Sequence, residues 1–326
     1  MENVNLSHRI CLAAAASLVG CGVAQVPPAA SGLLQNVTNT PAIMSAVAVT
    51  HAYKVSTPLI YVTSNDETLT PLAIYDAKAN NPQPIATISK DIDNSGGACI
   101  DDDGTLYVTN DASAGWVSEY ALGHTKPLRL ITKGISTPAY CAIDGTGNLW
   151  VTNVGADDVV EYLKGSTKPH ATITNGLTYP DGIAIDRAGN LYVGNLNPNS
   201  TPNVQVYALG TTSPLRTITE GVTRPVGIAV DAHGTLYVAN DTAPGNIEEY
   251  RAGQSKPYRT ITDKLVYPTA IVVGKNGWLY VSVWGYSSDE QAILEFSPRS
   301  LKASSREITT GFFFPQGLAY YPPVSP

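Results

Sequence analysis

Histidine, cysteine and long apolar runs are scarce in this sequence, and each shortage excludes a class of site. The 326 residues include 5 histidines and 4 cysteines. His124, His170 and His233 fall in expected turns or outer strands, and none stands beside a Ser or Cys as a nucleophilic site requires. Neither a Cys-x-x-Cys pair nor Cys/His metal spacing occurs. Beyond the amino-terminal segment, no run approaches the roughly 20 apolar residues of a membrane-spanning helix.

Positive charge is also in short supply. The chain carries 20 Lys and Arg against 27 Asp and Glu, for a formal net charge of −7. Nucleic acids bind to basic faces because their phosphates must be neutralised. The composition therefore argues against a nucleic-acid partner.

A repeat runs through almost the whole chain. The segment Tyr179 to Asn195 reads YPDGIAIDRAGNLYVGN, and weaker copies begin at Ser95, Thr137, Arg224 and Tyr267. The aromatic residue of its LYV core recurs at Tyr61, Tyr107, Trp150, Tyr192, Tyr237 and Tyr280, at intervals of 46, 43, 42, 45 and 43 residues. A period near 43 residues indicates a repeat architecture.

Each repeat predicts four short strands, of which GIAID and LYV are the first two. A four-stranded sheet of this size cannot bury both faces alone, so the units must pack around an axis as propeller blades do. FPQGLAYYP, from Phe314, supplies only a first strand, whereas LIYVTSN, from Leu59, lacks one. We therefore predict an all-β, six-bladed β-propeller of four-stranded antiparallel blades over residues 58–326, closed by the C-terminal strand.

GIAID followed by GNLYVGN and VQVY resembles the NHL repeat family of six-bladed propellers, over roughly residues 57–322. Relatives of this architecture include sensor domains, binding platforms, lactonases and lyases. The resemblance therefore implies the fold and leaves the activity open.

The amino terminus predicts export. Residues 1–20 combine Arg9 with a short apolar region, as a signal peptide does, and Leu18-Val19-Gly20-Cys21 resembles the bacterial lipoprotein box. That resemblance implies cleavage before Cys21 and acylation of its thiol, which would anchor the protein to a membrane. The alternative is an ordinary signal cut near Ala24. We expect a monomer in the bacterial cell envelope, on the periplasmic or outer-membrane face.

Residues 21–57 are rich in Ala, Pro, Thr, Ser and Val and predict a tether. A strand over residues 45–50 is an alternative there, because it could replace the C-terminal strand in the first blade. Within the propeller, Cys99 and Cys141 align with successive strand positions. Successive side chains point to opposite faces, so we expect two buried thiols and no disulfide.

The candidate site lies where first strands begin and second strands end. Asp181 breaks the repeat at the first location, and Gln316 is its equivalent in the last copy. Asn110, Asn153, Asn195 and Asn240 occupy the second location, and Tyr179, Tyr267 and Trp284 are expected to project toward the same mouth. Amides, a carboxylate and flat rings together predict a binding surface for a protein or glycan partner.

Asp181, Asn195 and Asn240 could also hold a calcium ion, since calcium prefers oxygen ligands. This arrangement resembles the axial metal site of the gluconolactonase and senescence-marker family, although Gln316 stands where that family has a glutamate. The alternative is that each asparagine caps the turn after its strand. No cofactor other than calcium and no catalytic residue is predicted.

Three functions remain open from the sequence. The favoured one is a binding module, which would not be an enzyme. The others are a calcium-dependent lactonase or hydrolase that uses the same mouth, and a structural envelope protein that binds other proteins through its rim.

Overall fold

The structure is a computed structural model that describes residue 55 and residues 58–65, 70–112, 114–197, 201–287 and 290–324. These residues belong to a compact unit that extends over residues 46–326. The predicted signal peptide, Cys21 and the alternative strand at 45–50 lie outside the described residues. Val55 is the one described residue of the predicted tether, and it packs against a core cluster of the propeller.

Within the described residues, twenty-four strands form six sheets of four. Blades 1 to 3 use, in chain order, β1 (Leu59–Ser64), β2 (Leu72–Asp76), β3 (Ala86–Ile88), β4 (Ser95–Ile100), β5 (Leu106–Asn110), β6 (Trp116–Tyr120), β7 (Pro127–Ile131), β8 (Pro138–Ile143), β9 (Leu149–Asn153), β10 (Asp158–Tyr162) and β11 (Ala171–Ile173). A 3-10 turn, Val154–Ala156, joins β9 to β10. Blades 4 to 6 use β12 (Pro180–Ile185), β13 (Leu191–Asn195), β14 (Asn203–Tyr207), β15 (Arg216–Ile218), β16 (Pro225–Val230), β17 (Leu236–Asn240), β18 (Asn246–Tyr250), β19 (Arg259–Ile261), β20 (Pro268–Val273), β21 (Leu279–Val283), β22 (Ala292–Phe296) and β23 (Glu307–Ile308).

The last strand, β24 (Pro315–Tyr321), closes the ring as predicted. It pairs antiparallel with β1, with Tyr61 opposite Ala319, so the strand order of blade 1 is β24-β1-β2-β3. The predicted six-bladed propeller of four-stranded antiparallel blades is thereby confirmed. Among the described residues, no helix has the length and apolar character needed to cross a membrane.

Hydrogen bonds between neighbouring blades reinforce the apolar core at two levels. Near the axis, Thr109 Oγ1 donates to the Ala139 carbonyl oxygen at 2.6 Å, and Thr152 Oγ1 donates to that of Asp181 at 2.8 Å. Farther out, buried tyrosines of five third strands each donate a hydroxyl hydrogen bond to a carbonyl oxygen of the preceding blade or the loop after it. These five are Tyr75, Tyr120, Tyr162, Tyr207 and Tyr250.

A disulfide joins blades 2 and 3, and the prediction of two free thiols was wrong. Cys99 of β4 and Cys141 of β8 are bonded, with their Cα atoms 5.7 Å apart. Cys99 pairs with Tyr107 and Cys141 with Val151, so the two cysteines do occupy successive positions of the repeat and do point to opposite faces. However, face-to-face packing brings opposite faces of neighbouring blades together. Residues on opposite faces of one strand pattern therefore meet when they belong to adjacent blades.

Candidate functional site

The axial mouth is built where innermost strands begin and second strands end. Pro180 pairs with Asn195 in blade 4, and Pro225 pairs with Asn240 in blade 5. This register brings the predicted position of Asp181 and the asparagine positions to the same end of the ring, as expected from antiparallel pairing.

The four asparagines are buried and bonded to their own blades. Asn240 Oδ1 accepts backbone N–H bonds from Thr223 and Arg224, at 2.8 and 3.1 Å, and its Nδ2 donates to the Gly221 carbonyl oxygen at 2.9 Å. Asn110, Asn153 and Asn195 likewise accept a backbone N–H bond from the loop that precedes the innermost strand of their blade. This geometry favours the capping alternative, because the amide oxygens already accept protein hydrogen bonds.

Asp181 lies in an electrostatic cluster that sequence analysis missed in part. The guanidinium Nε of Arg224 lies 3.1 Å from Asp241 Oδ2, and the Asp241 side chain is 2% exposed. Burial raises the pKa of Asp181 to about 7; Arg224 lowers it, whereas the Asp241 and Asp111 carboxylates raise it. Burial also raises the pKa of Asp241 to about 6, against the lowering effect of Arg224. The mouth thus holds carboxyl groups that are readily protonated and in excess over their cationic partner.

Tyr140 crosses the channel beneath this cluster. Its hydroxyl donates to the carbonyl oxygens of Thr269 at 2.9 Å and Gln316 at 3.2 Å, which belong to two blades on the far side of the axis. Burial raises the pKa of Tyr140 well above its usual value, and the Asp181 and Asp241 carboxylates add to the shift. The phenol therefore stays protonated, and it forms the floor of the mouth.

Aromatic side chains cover one sector of the mouth. The Trp284 ring centroid lies 6.5 Å from that of Tyr267 and 5.4 Å from that of Phe314, which in turn lies 4.3 Å from Phe313. Trp284 is buried and its Nε1 donates to the Pro315 carbonyl oxygen at 3.0 Å, whereas Tyr267 and Phe313 are exposed. We call Tyr267, Trp284, Phe313 and Phe314 the aromatic cluster.

The remaining predicted residues lie at the same end without joining either group. The Tyr179 side chain is half-buried, and its backbone N–H donates to Asp157 Oδ1 at 2.7 Å. The Gln316 side chain is half-buried, and its backbone carbonyl oxygen accepts the hydrogen bond from the Tyr140 hydroxyl. Within the part of the chain that the structure describes, no three His, Cys, Asp or Glu side chains are grouped as metal ligands would be. Calcium binding by Asp181, Asn195 and Asn240 stays a prediction.

The residues that were missed carried readable signals. Arg224 stands before the strand-entry proline, where other repeats have Tyr179, Tyr267 or Phe314. Asp241 directly follows a repeat asparagine. Both substitutions add charge at positions that the register brings to the axis, so comparison of the copies column by column would have found them.

The described residues thus form a six-bladed β-propeller whose candidate site lies at one axial mouth. No protein-family model and no curated protein matches the chain. Solved structures do match it. A chain in the crystal structure of a nidogen/laminin complex is 18% identical with a TM-score of 0.67, and the match covers 81% of this chain and 98% of that one.

Two further solved structures also match the fold of this chain at low sequence identity. A protein of unknown function from Bacteroides caccae is 14% identical with a TM-score of 0.63, over 81% of this chain and 99% of that one. Kuenenia stuttgartiensis hydrazine synthase is 17% identical with a TM-score of 0.52, over 66% of each chain. At these identities the likeness shows the fold alone, and the resemblance to NHL repeats stays a prediction.

Proposed function

We propose that the protein is an extracytoplasmic, lipid-anchored binding module that takes its ligand at the axial mouth. The observation that carries this proposal is the division of the mouth into two parts. One is the electrostatic cluster of Asp111, Asp181, Arg224 and Asp241, and the other is the aromatic cluster around Trp284. The similar propeller in the nidogen/laminin complex comes from an assembly of two proteins, which is compatible with a binding role.

The mouth suits a basic side chain of a protein partner. The Asp241 and Asp111 carboxylates both raise the pKa of Asp181 there, and a single guanidinium group, that of Arg224, lowers it. An arginine side chain would bind carboxylates through charge-assisted hydrogen bonds and would stack on aromatic faces. A neutral glycan would also stack on the aromatic rings, but its hydrogen bonds to the carboxylates would not be assisted by a positive charge.

The Cys99–Cys141 disulfide supports the export part of the proposal. Disulfides persist in oxidising compartments such as the bacterial periplasm and are rare in the cytosol. Export fits the signal peptide predicted over residues 1–20 and the acylation predicted at Cys21. The lipid anchor would tether the propeller to a membrane of the cell envelope.

The calcium-dependent hydrolase is the second candidate, and one observation favours it. The pKa of Asp181 is raised to about 7 and that of Asp241 to about 6, and such values suit proton transfer near neutral pH. The calcium ion would be held by the side-chain oxygens of Asp181, Asn195 and Asn240.

Thermal unfolding of wild type and Asp181→Ala separates the two candidates. Each protein is melted with Nα-acetyl-arginine amide, with a neutral oligosaccharide, with calcium and with chelator. A ligand at about a hundred times its dissociation constant adds roughly 2.7 kcal/mol, which moves the midpoint by several degrees. A shift with the arginine compound that is absent in Asp181→Ala supports the binding module. A midpoint shift with calcium alone that is lost in Asp181→Ala would favour the hydrolase. The absence of a shift with every ligand would contradict both candidates.

A further inference from the structure

Positive charge is concentrated in one set of loops. We call these the outer loops: they join the third strand of each blade to the fourth, at residues 77–85, 121–126, 163–170, 208–215, 251–258 and 297–306. They contain nine of the 20 lysines and arginines of the chain and none of its 27 aspartates and glutamates. A protein of net charge −7 therefore carries one basic set of loops.

The outer loops begin at the end of the ring opposite the mouth. In blade 4, β13 ends at the mouth with Asn195, so Leu191 marks its far end. Leu191 pairs with Tyr207, the last residue before an outer loop. Leu209 of that loop covers the turn between the first two strands, because a Cβ atom on Gly189 would lie 3.0 Å from Leu209 Cδ1. The start of the loop thus belongs to the face that points away from the mouth.

Large apolar side chains are exposed on the same loops. Five of the six outer loops carry at least one that is between 43% and 66% exposed. These residues are Ile85, Leu163, Leu209, Leu215, Tyr258 and Leu301. Lysine and arginine interspersed with exposed leucine and tyrosine are typical of a surface that lies on a bilayer, since the apolar groups enter the interface and the cations meet the phosphates.

Several of these cations keep their charge available to a partner. Four of the nine pair with carboxylates of other segments: Lys164 with Asp103, Lys256 with Glu220, Lys302 with Asp263 and Arg306 with Glu295. Lys78, Lys126, Lys168 and Arg299 are exposed and form no ion pair with a described residue. The outer loops therefore present unneutralised positive charge.

The chain also enters the propeller beside these loops. The first strand along the chain, β1, begins at Leu59. The Ala77 backbone N–H donates to the Pro58 carbonyl oxygen at 2.9 Å, and Ala77 is the first residue of the outer loop of blade 1. The polypeptide therefore joins β1 at the end of the ring opposite the mouth.

We propose that the outer loops dock on a membrane surface that contains anionic phospholipid, with the lysines at the phosphates and the exposed leucines among the headgroups. The mouth then points away from the membrane, toward its ligand. The docking surface stands on the outer loops alone. Only the added contribution of an anchor at Cys21 rests on the proposed function, and that anchor would draw the same face toward the membrane because the chain enters there.

Vesicle sedimentation of the full chain with Cys21→Ser, which cannot be acylated, tests the docking surface. The vesicles consist of phosphatidylcholine, or of phosphatidylcholine mixed with phosphatidylglycerol. We expect binding to the mixed vesicles to be tighter by about tenfold or more, and to weaken as salt is added. Equal binding to both kinds of vesicle would overturn the proposal. Absence of binding to both would overturn it in favour of an acidic protein as the partner.

Charge variants of the same chain locate the contact. Lys168→Gln should weaken binding to the mixed vesicles about fivefold, which is the contribution expected of one lysine at an anionic surface. The matched control is Lys264→Gln, which removes a lysine that is 53% exposed in the loop leading to the mouth and should leave the affinity unchanged. The amino-terminal segment is the same in both variants, so a difference between them reports the outer loops. Equal losses would refute the assignment.

Apolar variants provide a second measurement. Leu209→Ser removes an outer-loop side chain that is 66% exposed and should also weaken binding to the mixed vesicles. Tyr286→Ser is the matched control, because that ring is 69% exposed at the mouth end. Loss of binding in Tyr286→Ser without loss in Leu209→Ser would show that the mouth faces the membrane, contrary to the proposal.

Acetylation of lysines in the vesicle-bound chain measures its orientation. Lys126 and Lys168 should be protected from the reagent when mixed vesicles are present, whereas Lys264 should react as it does in solution. The reverse pattern would contradict the proposal. These results are independent of the ligand at the mouth: a chain that docks through its outer loops but does not bind the arginine compound would refute the proposed function and leave the docking surface standing.

Discussion

Tyr140 occupies space that exists only because residue 97 is glycine. A Cβ atom on Gly97 would lie 2.7 Å from Cδ1 and 2.8 Å from Cα of Tyr140. Gly97, Gly182, Gly227 and Gly317 hold the same repeat position, and Tyr140 replaces that glycine in blade 3. One blade therefore contributes the ring that crosses the axis, and the neighbouring blade leaves room for it.

Gly97→Ala should destabilise the protein by about 1–3 kcal/mol, because the added methyl group meets backbone as well as ring atoms and cannot be relieved by a side-chain rotation. Chemical denaturation of wild type and variant measures the change. Gly145→Ala is the matched control, since a Cβ there meets nothing within 4 Å and blade 5 already has Ala232 at the equivalent position. Equal stability of the two variants would contradict the close packing of Tyr140 on Gly97.

Asp181→Asn should stabilise the protein at neutral pH and not at acidic pH. Burial raises the pKa of Asp181 from 3.8 to about 7, so the folded state retains a proton that the unfolded state releases within that interval. The free energy of unfolding contributed by this group therefore falls as pH rises through the interval. Because the side chain is only half-buried, we expect a gain on the order of 1–2 kcal/mol above about pH 7.

Melting curves of wild type and Asp181→Asn between about pH 4 and pH 8 measure this difference. Asp263 is a control of opposite sign, because a hydrogen bond from Lys302 lowers the pKa of its carboxyl group. Asp263→Asn should lose stability at neutral pH and lose little at acidic pH. A pH-independent difference for Asp181→Asn would show that its carboxyl group titrates normally.

Replacement of Cys99 and Cys141 by serine should lower stability by about 4 kcal/mol in the chain-entropy account of a cross-link that spans a separation of 42 residues. The cross-link restricts the unfolded chain, so its loss favours unfolding. Denaturation of wild type with and without reductant should reproduce the difference, and the double variant should not respond to reductant. A reductant effect on the double variant would point to another pair of cysteines.

Asn240→Ala should cost about 2–3 kcal/mol, because it leaves buried backbone groups near Arg224 and Gly221 without partners. Asn175→Ala is the matched control, since that side chain is exposed and bonds only to the Ser213 hydroxyl in the described structure. Denaturation measures both variants. A neutral Asn240→Ala with lost calcium binding would instead favour the metal site.

Repeat spacing was sufficient to predict the propeller, because the apolar strand pattern and the turn residues recur in every copy. The closing strand could be predicted for the same reason: β24 has the pattern of a first strand and β1 has none before it. Contacts between blades were not predictable from one copy, since they join different faces of different copies, as Cys99 and Cys141 do. The Arg224–Asp241 ion pair joins one residue before the strand-entry proline to another after the repeat asparagine, and sequence analysis compared neither of these columns between copies.

Blade 1 takes β1 and β24 from opposite ends of the domain, and this arrangement sets the order of events during synthesis. Until residues 315–321 have emerged, β1 presents an unpaired edge, which is a template for pairing with other chains. A nascent chain with its other blades folded is therefore still open to aggregation. Ring closure waits for the last strand, so a ribosome that stalls near the 3′ end of the message releases an aggregation-prone product instead of a slightly shortened propeller.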